Sequence, residues 1–468
     1  MNILKKLHLL LFVLQLTLPI LSNPGAYTPL FKITIPSILY SPESASELQL
    51  LIEDANKKDQ KICIVGAGKS QGGQTISSVF STYRISLEKM NKLISLNVKN
   101  KEVTIETGMT WNTLQNYISP FGLAVKAMQS YNDFSIGGSL SVNVHGQDLL
   151  ANPLIDTVKS FKLLQSNGKI IDVSRTKNKQ FFSLAIGGYG LFGIITEVTL
   201  ELTDNSILKR NLQVIDSNDL SSYFLQNIKN NPDIEFYSAR FSMNSSYLLE
   251  KALVLTYSKT DKFSNESLQP LKGVKNYSTL GKAIILMKKY KTAKNLRFLL
   301  EKAIYSLPQT ITRNKFMSNP LSDLPKNDDH SYILQEYFIP YKNLNNFIDF
   351  LRTIIKENNI NILNLTARHV CKNTESMLSY SPQECCALVL YLNINHKDDE
   401  YPNIITWTRQ LIDKTITLNG TYYLPYHLLG TQEQIRRSYP QFDNFIKLKK
   451  LYDPKEMFTN KLYEQYCK

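Results

Sequence analysis

Three glycine-rich loops in a fixed order, each beside a strand-like run, constrain this chain more than any other feature. They are Gly66-Ala67-Gly68-Lys69-Ser70-Gln71-Gly72-Gly73, then Gly137-Gly138-Ser139-Leu140-Ser141-Val142-Asn143-Val144-His145-Gly146, then Gly187-Gly188-Tyr189-Gly190. Missing side chains let backbone N–H groups close on phosphate oxygens and form anion-binding concavities. A single loop of this kind is an ordinary turn. Three in series, with serines interleaved, point to a phosphate-bearing ligand.

Two familiar nucleotide motifs are excluded. Gly68-Lys69-Ser70 resembles the end of a Walker A loop, but the first glycine that motif needs falls at Cys63. Gly188-Tyr189-Gly190-Leu191-Phe192-Gly193 spells GxGxxG, yet a dinucleotide loop must open a helix. Here the alternating run Gly193–Leu202 follows, which reads as a half-buried strand. A nicotinamide site is therefore not expected.

The rest of the chain organises itself around these loops. Glu43–Lys58 has helical periodicity with serines suited to capping. Strand-like runs fall at Lys61–Val65, Ile85–Leu87, Leu93–Leu96 and Val103–Glu106, and a short helix at Thr110–Ile118. Val158–Leu164 and Lys169–Val173 flank Ser166-Asn167-Gly168, where Asn-Gly supplies the positive-φ positions of a hairpin. The texture changes near Thr203–Ser206. Helices are then expected at Leu220–Ile228, Ala283–Tyr305, Leu344–Lys356 and Ile404–Leu418. Strands are expected at Glu235–Phe241, Ile333–Ile339, Ile360–Arg368 and Ala387–Asn393. Lys315–Asp329 reads as a linker. At 468 residues the chain exceeds one compact core, and the pattern is that of an α+β protein of two domains.

Met1–Lys6 carries two lysines, Leu7–Leu21 is mostly apolar, and Ser22-Asn23-Pro24-Gly25 breaks the run. This order is that of a secretory signal peptide over residues 1–23. It predicts a secreted or periplasmic protein, with an uncleaved membrane anchor as the alternative. The net charge of +14 is mostly diffuse lysine, without the basic-aromatic clustering that nucleic acid requires. In Met287–Lys302, lysines and Arg297 share a helix with Leu296, Leu299 and Leu300. A solvated face on a packed helix is the plainer expectation, and contact with a membrane surface the sharper one. Five cysteines without repeated spacing argue against a disulfide framework, and no Cys or His pair has metal-ligand spacing. Of the adjacent Cys385 and Cys386, one side chain is expected to face the core.

Taken together, the loops resemble the FAD-binding domain of the vanillyl-alcohol-oxidase-like flavoproteins. GAGKSQGGQT is similar to the pyrophosphate loop of that family. FSIGGSLSVNVHGQD (Phe134–Asp148) is similar to its second flavin loop, FFSLAIGGYGLFGIITEVTLEL (Phe181–Leu202) to its third element, and LYDPKEMFTNKLYEQY (Leu451–Tyr466) to its C-terminal return. The resemblance spans about Pro36–Asp204 and Gly420–Tyr466, and within the superfamily it is nearest to aldonolactone oxidases and decaprenylphosphoryl-ribose oxidases. It implies a FAD-binding domain over residues 24–204, a substrate-binding cap over 205–419 and a C-terminal return over 420–468. It also implies that Gly66, Ala67, Gly68, Lys69, Ser70 and Gln71 hold the pyrophosphate. Gly137, Gly138, Ser141 and Val142 would line the flavin, and Gly193 with Ile195 its adenine end.

Oxidising an alcohol on a flavin requires a group to take the hydroxyl proton and groups to orient the sugar. His427 in the C-terminal return is the first choice for base or anchor, Tyr426 the second, and His145 in the flavin loop the third. By resemblance to aldonolactone oxidases, Glu336 in LQEYFIP and Arg368 in LTARHV would contact the sugar. The implied activity is oxidation of a secondary alcohol or lactol of a sugar or sugar lactone, with hydride passing to flavin N5. The competing readings are an oxidase of an unrelated alcohol and a non-catalytic binding protein on a retired flavin fold. Two departures from the family sharpen these expectations. Tyr426 stands where decaprenylphosphoryl-ribose oxidases carry an essential lysine. Lys69 stands where many family members carry the histidine that bonds FAD covalently. Non-covalent FAD is therefore expected. Acid precipitation should release all of the flavin into the supernatant, and flavin retained on the polypeptide would contradict the expectation.

Overall fold

The computed structural model describes residues 38–79, 82–149, 151–260, 291–318, 330–395 and 400–468. The signal peptide expected over residues 1–23, the start of the helix expected at Ala283–Tyr305 and most of the linker-like stretch lie outside these residues.

The α+β class is observed, as three sheets with helices around them. Three short parallel strands, Ile38–Tyr40, Tyr83–Ser86 and Ile62–Val65, form the first sheet. The helix Ala45–Lys57 packs on it through Leu48, Leu51, Ile52 and Ala55, and starts where the Ser44 hydroxyl accepts the Glu47 amide. The second sheet has six strands, with Ile194–Asp204 pairing to Glu102–Glu106, Val158–Leu164 and Leu123–Val125. That long strand follows the GxGxxG spelling directly, so the spelling does not open a helix. The Val158–Leu164 and Ile170–Ser174 strands form the expected hairpin, with Gly168 at a positive φ of 79°.

The third sheet has eight antiparallel strands. Its central members are Ile234–Phe241, Ile362–Val370, Cys385–Asn395 and His330–Pro340, side by side in that order. Two further strands, Ile207–Asp216 and Lys251–Lys259, were not expected from the sequence. They pair with each other over nine residues. One face of this sheet is closed. Ile333, Tyr337, Leu365, Leu388 and Leu390 join the core that includes Phe347, Leu351, Ile404 and Leu411 of the helices Leu344–Glu357 and Glu400–Thr417. Gln335 also bonds Thr408 there at 2.8 Å. On the strand Ile362–Val370 the alternate residues Asn364, Thr366 and Arg368 are only half-buried, so the other face is partly open. Strand alternation fixes these two faces, because successive side chains point oppositely.

Three expectations need correction. Cys385 and Cys386 are both buried, one on each face, because the strand they begin is covered on both sides at that end. The second glycine loop is a short helix at its start, Ile136–Ser141, capped by Ser135. The helix Lys291–Ser306 is inverted relative to a solvated basic face. Arg297 and Glu301 point inward, and Leu296, Leu299 and Leu300 are exposed. Inward hydrogen bonds from Lys294 to Asn361 and from Arg297 to Asn364 satisfy these polar groups, so their burial is not penalised.

The C-terminal return is held by one buried ion pair. Lys449 and Asp453 are fully buried and bonded one helical turn apart, with Lys449 held between the rings of Phe458 and Tyr463. Asp453 also accepts the amides of Met457 and Phe458 at 3.0 and 2.9 Å. The segment then runs beside Ile62, which donates to Met457 and accepts from Thr459. Removing one partner leaves the other charge buried and alone, which costs about 3–5 kcal/mol. Asp453→Asn is expected to lose about that much stability in denaturant unfolding. A loss under about 1 kcal/mol would show that the pair is not an anchor.

Candidate active site

The three glycine loops, far apart in sequence, meet around the helix Ile136–Ser141. The Ser135 hydroxyl caps it by accepting Gly138 N at 3.3 Å, and also accepts Ala67 N of the first loop at 3.1 Å. Gly187 N and Tyr189 N of the third loop donate to Leu140 and Ser141 carbonyls at 2.9 and 2.8 Å. Gly137 N donates to Thr107 O at 2.8 Å, and the Thr107 hydroxyl bonds Ile195 O. Gly66 must be glycine here, since an added Cβ would lie 2.1 Å from the Ser135 hydroxyl and break the cap. Gly193 has a φ of +136°, which side chains rarely tolerate, and its Cβ would meet Leu164 O at 2.5 Å.

The C-terminal return closes this arrangement. Gly72 N donates to Pro425 O, Gln74 bonds Leu424 O at 3.0 Å, and Lys461 N reaches Gly73 O and Ile76 O. Tyr426 and His427 follow directly and are half-buried. Desolvation of His427 lowers its pKa to about 4, so its imidazole is neutral at neutral pH.

The second loop ends against the open face of the eight-stranded sheet. His145 Nε2 lies 2.5 Å from Glu336 Oε1, and each side chain is about 2% exposed. Tyr426 donates to Glu336 Oε2 at 3.3 Å, and Tyr423 N donates to Glu336 O at 3.0 Å. Phe338, Tyr380 and Tyr423 surround the imidazole at ring separations of 5.4–5.9 Å. His145 Nδ1 is buried and has no partner among the described residues. With its hydrogen on Nε2 donated to Glu336, the ring leaves Nδ1 as a buried acceptor.

Three residues along, Asp148 continues the junction. Arg313, buried, bonds Asp148 and lies 2.6 Å from Glu235, while donating to the carbonyls of Val125 and Lys126. Leu149 N donates to Glu235 O and Tyr237 N to Gln147 O, so the loop runs as a bridge along the strand Ile234–Phe241.

Sequence reasoning named His145, Glu336 and Tyr426 separately, and the structure brings them together. Glu336 is not a surface residue. Arg368 is not paired with it; Arg368 bonds the Ser130 hydroxyl at 2.9 Å. Both nonetheless share one sheet face, because their partners Val389 and Ala387 are two residues apart on the intervening strand. His369, set aside from the sequence, bonds Tyr341 at 3.1 Å in the core on the other face. Tyr423 and Arg313 were missed, as was Arg240, which stands opposite Thr366 on the same sheet face and bonds Glu301 at 2.8 Å. An arginine inside the apolar run FYSARF was the available signal for Arg240.

Residues 36–174 match the family described as FAD binding domain. Residues 198–466, more than half of the chain, match the family described as D-arabinono-1,4-lactone oxidase. The chain belongs to the D-arabinono-1,4-lactone oxidase family. Among curated relatives, L-galactono-1,4-lactone dehydrogenase, mitochondrial, of Arabidopsis thaliana is 31% identical over 38% of this chain and 29% of its own length. The putative D-arabinono-1,4-lactone oxidase of Neurospora crassa is 28% identical over 36% and 30%, and L-gulonolactone oxidase of Bos taurus 28% over 40% and 44%. The chain thus spans less than half the length of the curated relatives it matches.

FAD is the cofactor of this family member, and the loops fit it. Among the described residues the amides of Gly68, Lys69 and Ser70 have no protein acceptor, as a phosphate-binding nest requires. The missing side chains at Gly66 and Gly137 let Ser135 and Thr107 close on the backbone, which holds the first loop against the capped helix.

Proposed function

We propose that this chain is a FAD-dependent oxidoreductase acting on a sugar lactone, with D-arabinono-, L-galactono- and L-gulono-1,4-lactone as first candidates. The observation that carries the reading is the Glu336 carboxyl, held by His145 and Tyr426 where the flavin loops meet the open sheet face. The family match favours a lactone over the free alcohol or lactol expected from sequence. When bound, FAD supplies the electron sink for removal of hydrogen from a C–OH carbon.

The residues around it have distinct tasks. Gly66 to Gln71 hold the pyrophosphate through backbone, Gly137, Gly138, Ser141 and Val142 line the flavin, and Gly193 with Ile195 border its adenine end. Lys69 pairs with Asp133 at 3.4 Å, which suits a non-covalent cofactor. Glu336 accepts the substrate hydroxyl proton at Oε2, while His145 Nε2 fixes Oε1 and so orients the carboxyl. Tyr426 completes the hydrogen-bond path, and neutral His427 beside it anchors the sugar. Arg368 holds substrate oxygens farther along the face. Burying a carboxyl beside a histidine is expensive without a use for it, which weighs against a retired scaffold.

A secreted address rests on residues 1–23 alone. Among the described residues no helix is long and apolar enough to cross a membrane. The outward leucines of the helix Lys291–Ser306 favour a membrane surface as a contact.

Glu336→Gln keeps the shape of the side chain and removes the proton acceptor. Steady-state kinetics on the responsive lactone should show kcat lowered by about 10²–10⁴-fold, with flavin content unchanged. Unchanged kcat would remove Glu336 from the chemistry, and loss of flavin would make its role structural.

A further inference from the structure

The open face of the eight-stranded sheet carries a second polar group, beyond Glu336. Arg240 on the strand Ile234–Phe241 stands opposite Thr366, and Thr366 opposite Val389, which in turn faces Glu336. All four therefore share one face, and Arg368, two residues beyond Thr366, shares it too. Arg240 and Arg368 are diagonal neighbours, with Cα atoms about 7–8 Å apart. Counted in strand spacings of about 4.8 Å, they lie roughly 10–14 Å along the sheet from Glu336.

The charges here do not balance. Glu301 is the one carboxylate bonded to this group among the described residues, and it is shared by Arg240 at 2.8 Å and Arg297 at 2.9 Å. Among the described residues the side-chain hydrogen bond of Arg368 goes to the Ser130 hydroxyl. Three guanidinium groups thus meet one carboxylate in a partly buried setting, an excess of two positive charges. The Nε atoms of both Arg240 and Arg368 are buried without a hydrogen-bond partner among the described residues. Tyr131, half-buried on the flavin-loop side, faces both arginines, and burial raises its pKa above the ordinary phenol value. A buried guanidinium with an unused donor is costly unless an anion completes it, and its planar fork matches carboxylate and phosphate oxygens.

We propose that Arg240 and Arg368, with Ser130 and Tyr131, form a subsite for an anionic substituent, a carboxylate or phosphate borne by the sugar lactone. The proposal rests on the lactone reading for the substrate body and adds its charge. The reacting carbon lies at Glu336, and the anionic end lies toward the arginines. Arg240 determines the preference for charged over neutral lactones.

The test uses the FAD-loaded full chain and two aldono-1,4-lactones that differ only by a terminal phosphate. The phosphorylated one should be favoured in kcat/KM by on the order of 10–100-fold, the worth of one charge-assisted bond. Arg240→Met should bring that ratio toward one, and Arg240→Lys should restore part of it. Folding is not at risk from a stranded Glu301, since Arg297 still pairs with it. Equal or better use of the neutral lactone by the wild-type protein would overturn the proposal. Equilibrium dialysis with labelled inorganic phosphate at constant ionic strength gives a readout that needs no turnover. Saturable binding lost in Arg240→Met supports the subsite even if no lactone is oxidised, which would sink the functional reading alone. Absence of saturable binding in the wild-type protein overturns the subsite.

Discussion

Glu336 can be buried beside His145 only when the Phe134–Asp148 loop and the eight-stranded sheet are docked against each other. The sheet half offers that carboxyl Tyr426 at 3.3 Å, and the closer partner, His145, comes only from the loop. A buried carboxyl without hydrogen bonds costs several kcal/mol, so the bond drives the docking as firmly as the docking makes the bond. Asp148, three residues on, repeats the logic with Arg313 and Glu235. The backbone bridges from Gln147 and Leu149 to the strand Ile234–Phe241 fix the register between the two parts. Assembly of the site and assembly of the fold are therefore one event at this seam.

The same economy is visible on the cofactor side. A helix of six residues, Ile136–Ser141, is too short to be stable alone. It is held by Ser135 at its start, by the third glycine loop at its end and by Trp111, whose indole donates to Ser139 at 2.9 Å. The first loop is pinned to the same Ser135. The C-terminal return, anchored by Lys449 and Asp453, closes over it and delivers Tyr426 to Glu336. Residues far apart along the chain are thus placed by a few short-range bonds.

Much of this was legible in the sequence, for identifiable reasons. Glycine loops, the Asn-Gly hairpin and the Ser44 cap are local, and their chemistry is written in adjacent residues. The strands Glu235–Phe241 and Ile333–Ile339 were legible from their apolar runs. What alternation does not reveal is which face meets which neighbour. Glu336 could therefore have faced solvent, and its bond to His145 crosses 191 positions. His427 ranked above His145 because position in the C-terminal return was weighed without knowledge of that bond. The helix Lys291–Ser306 misled for a related reason. Leucines in an amphipathic helix ordinarily face the core, but Asn361, Asn364 and Arg240 on the sheet side supply polar partners that draw Lys294, Arg297 and Glu301 inward. The strands Ile207–Asp216 and Lys251–Lys259 went unseen because their pairing is between segments 35 or more residues apart.

We propose that this seam removes hydrogen from a sugar lactone. Anaerobic mixing of the FAD-loaded protein with the three lactones, following the long-wavelength flavin band, tests it most directly. Complete bleaching by at least one lactone, with none from the simple alcohols, is the expected result. A flavin that stays fully oxidised with every lactone, in a protein that binds FAD stoichiometrically, would contradict the account.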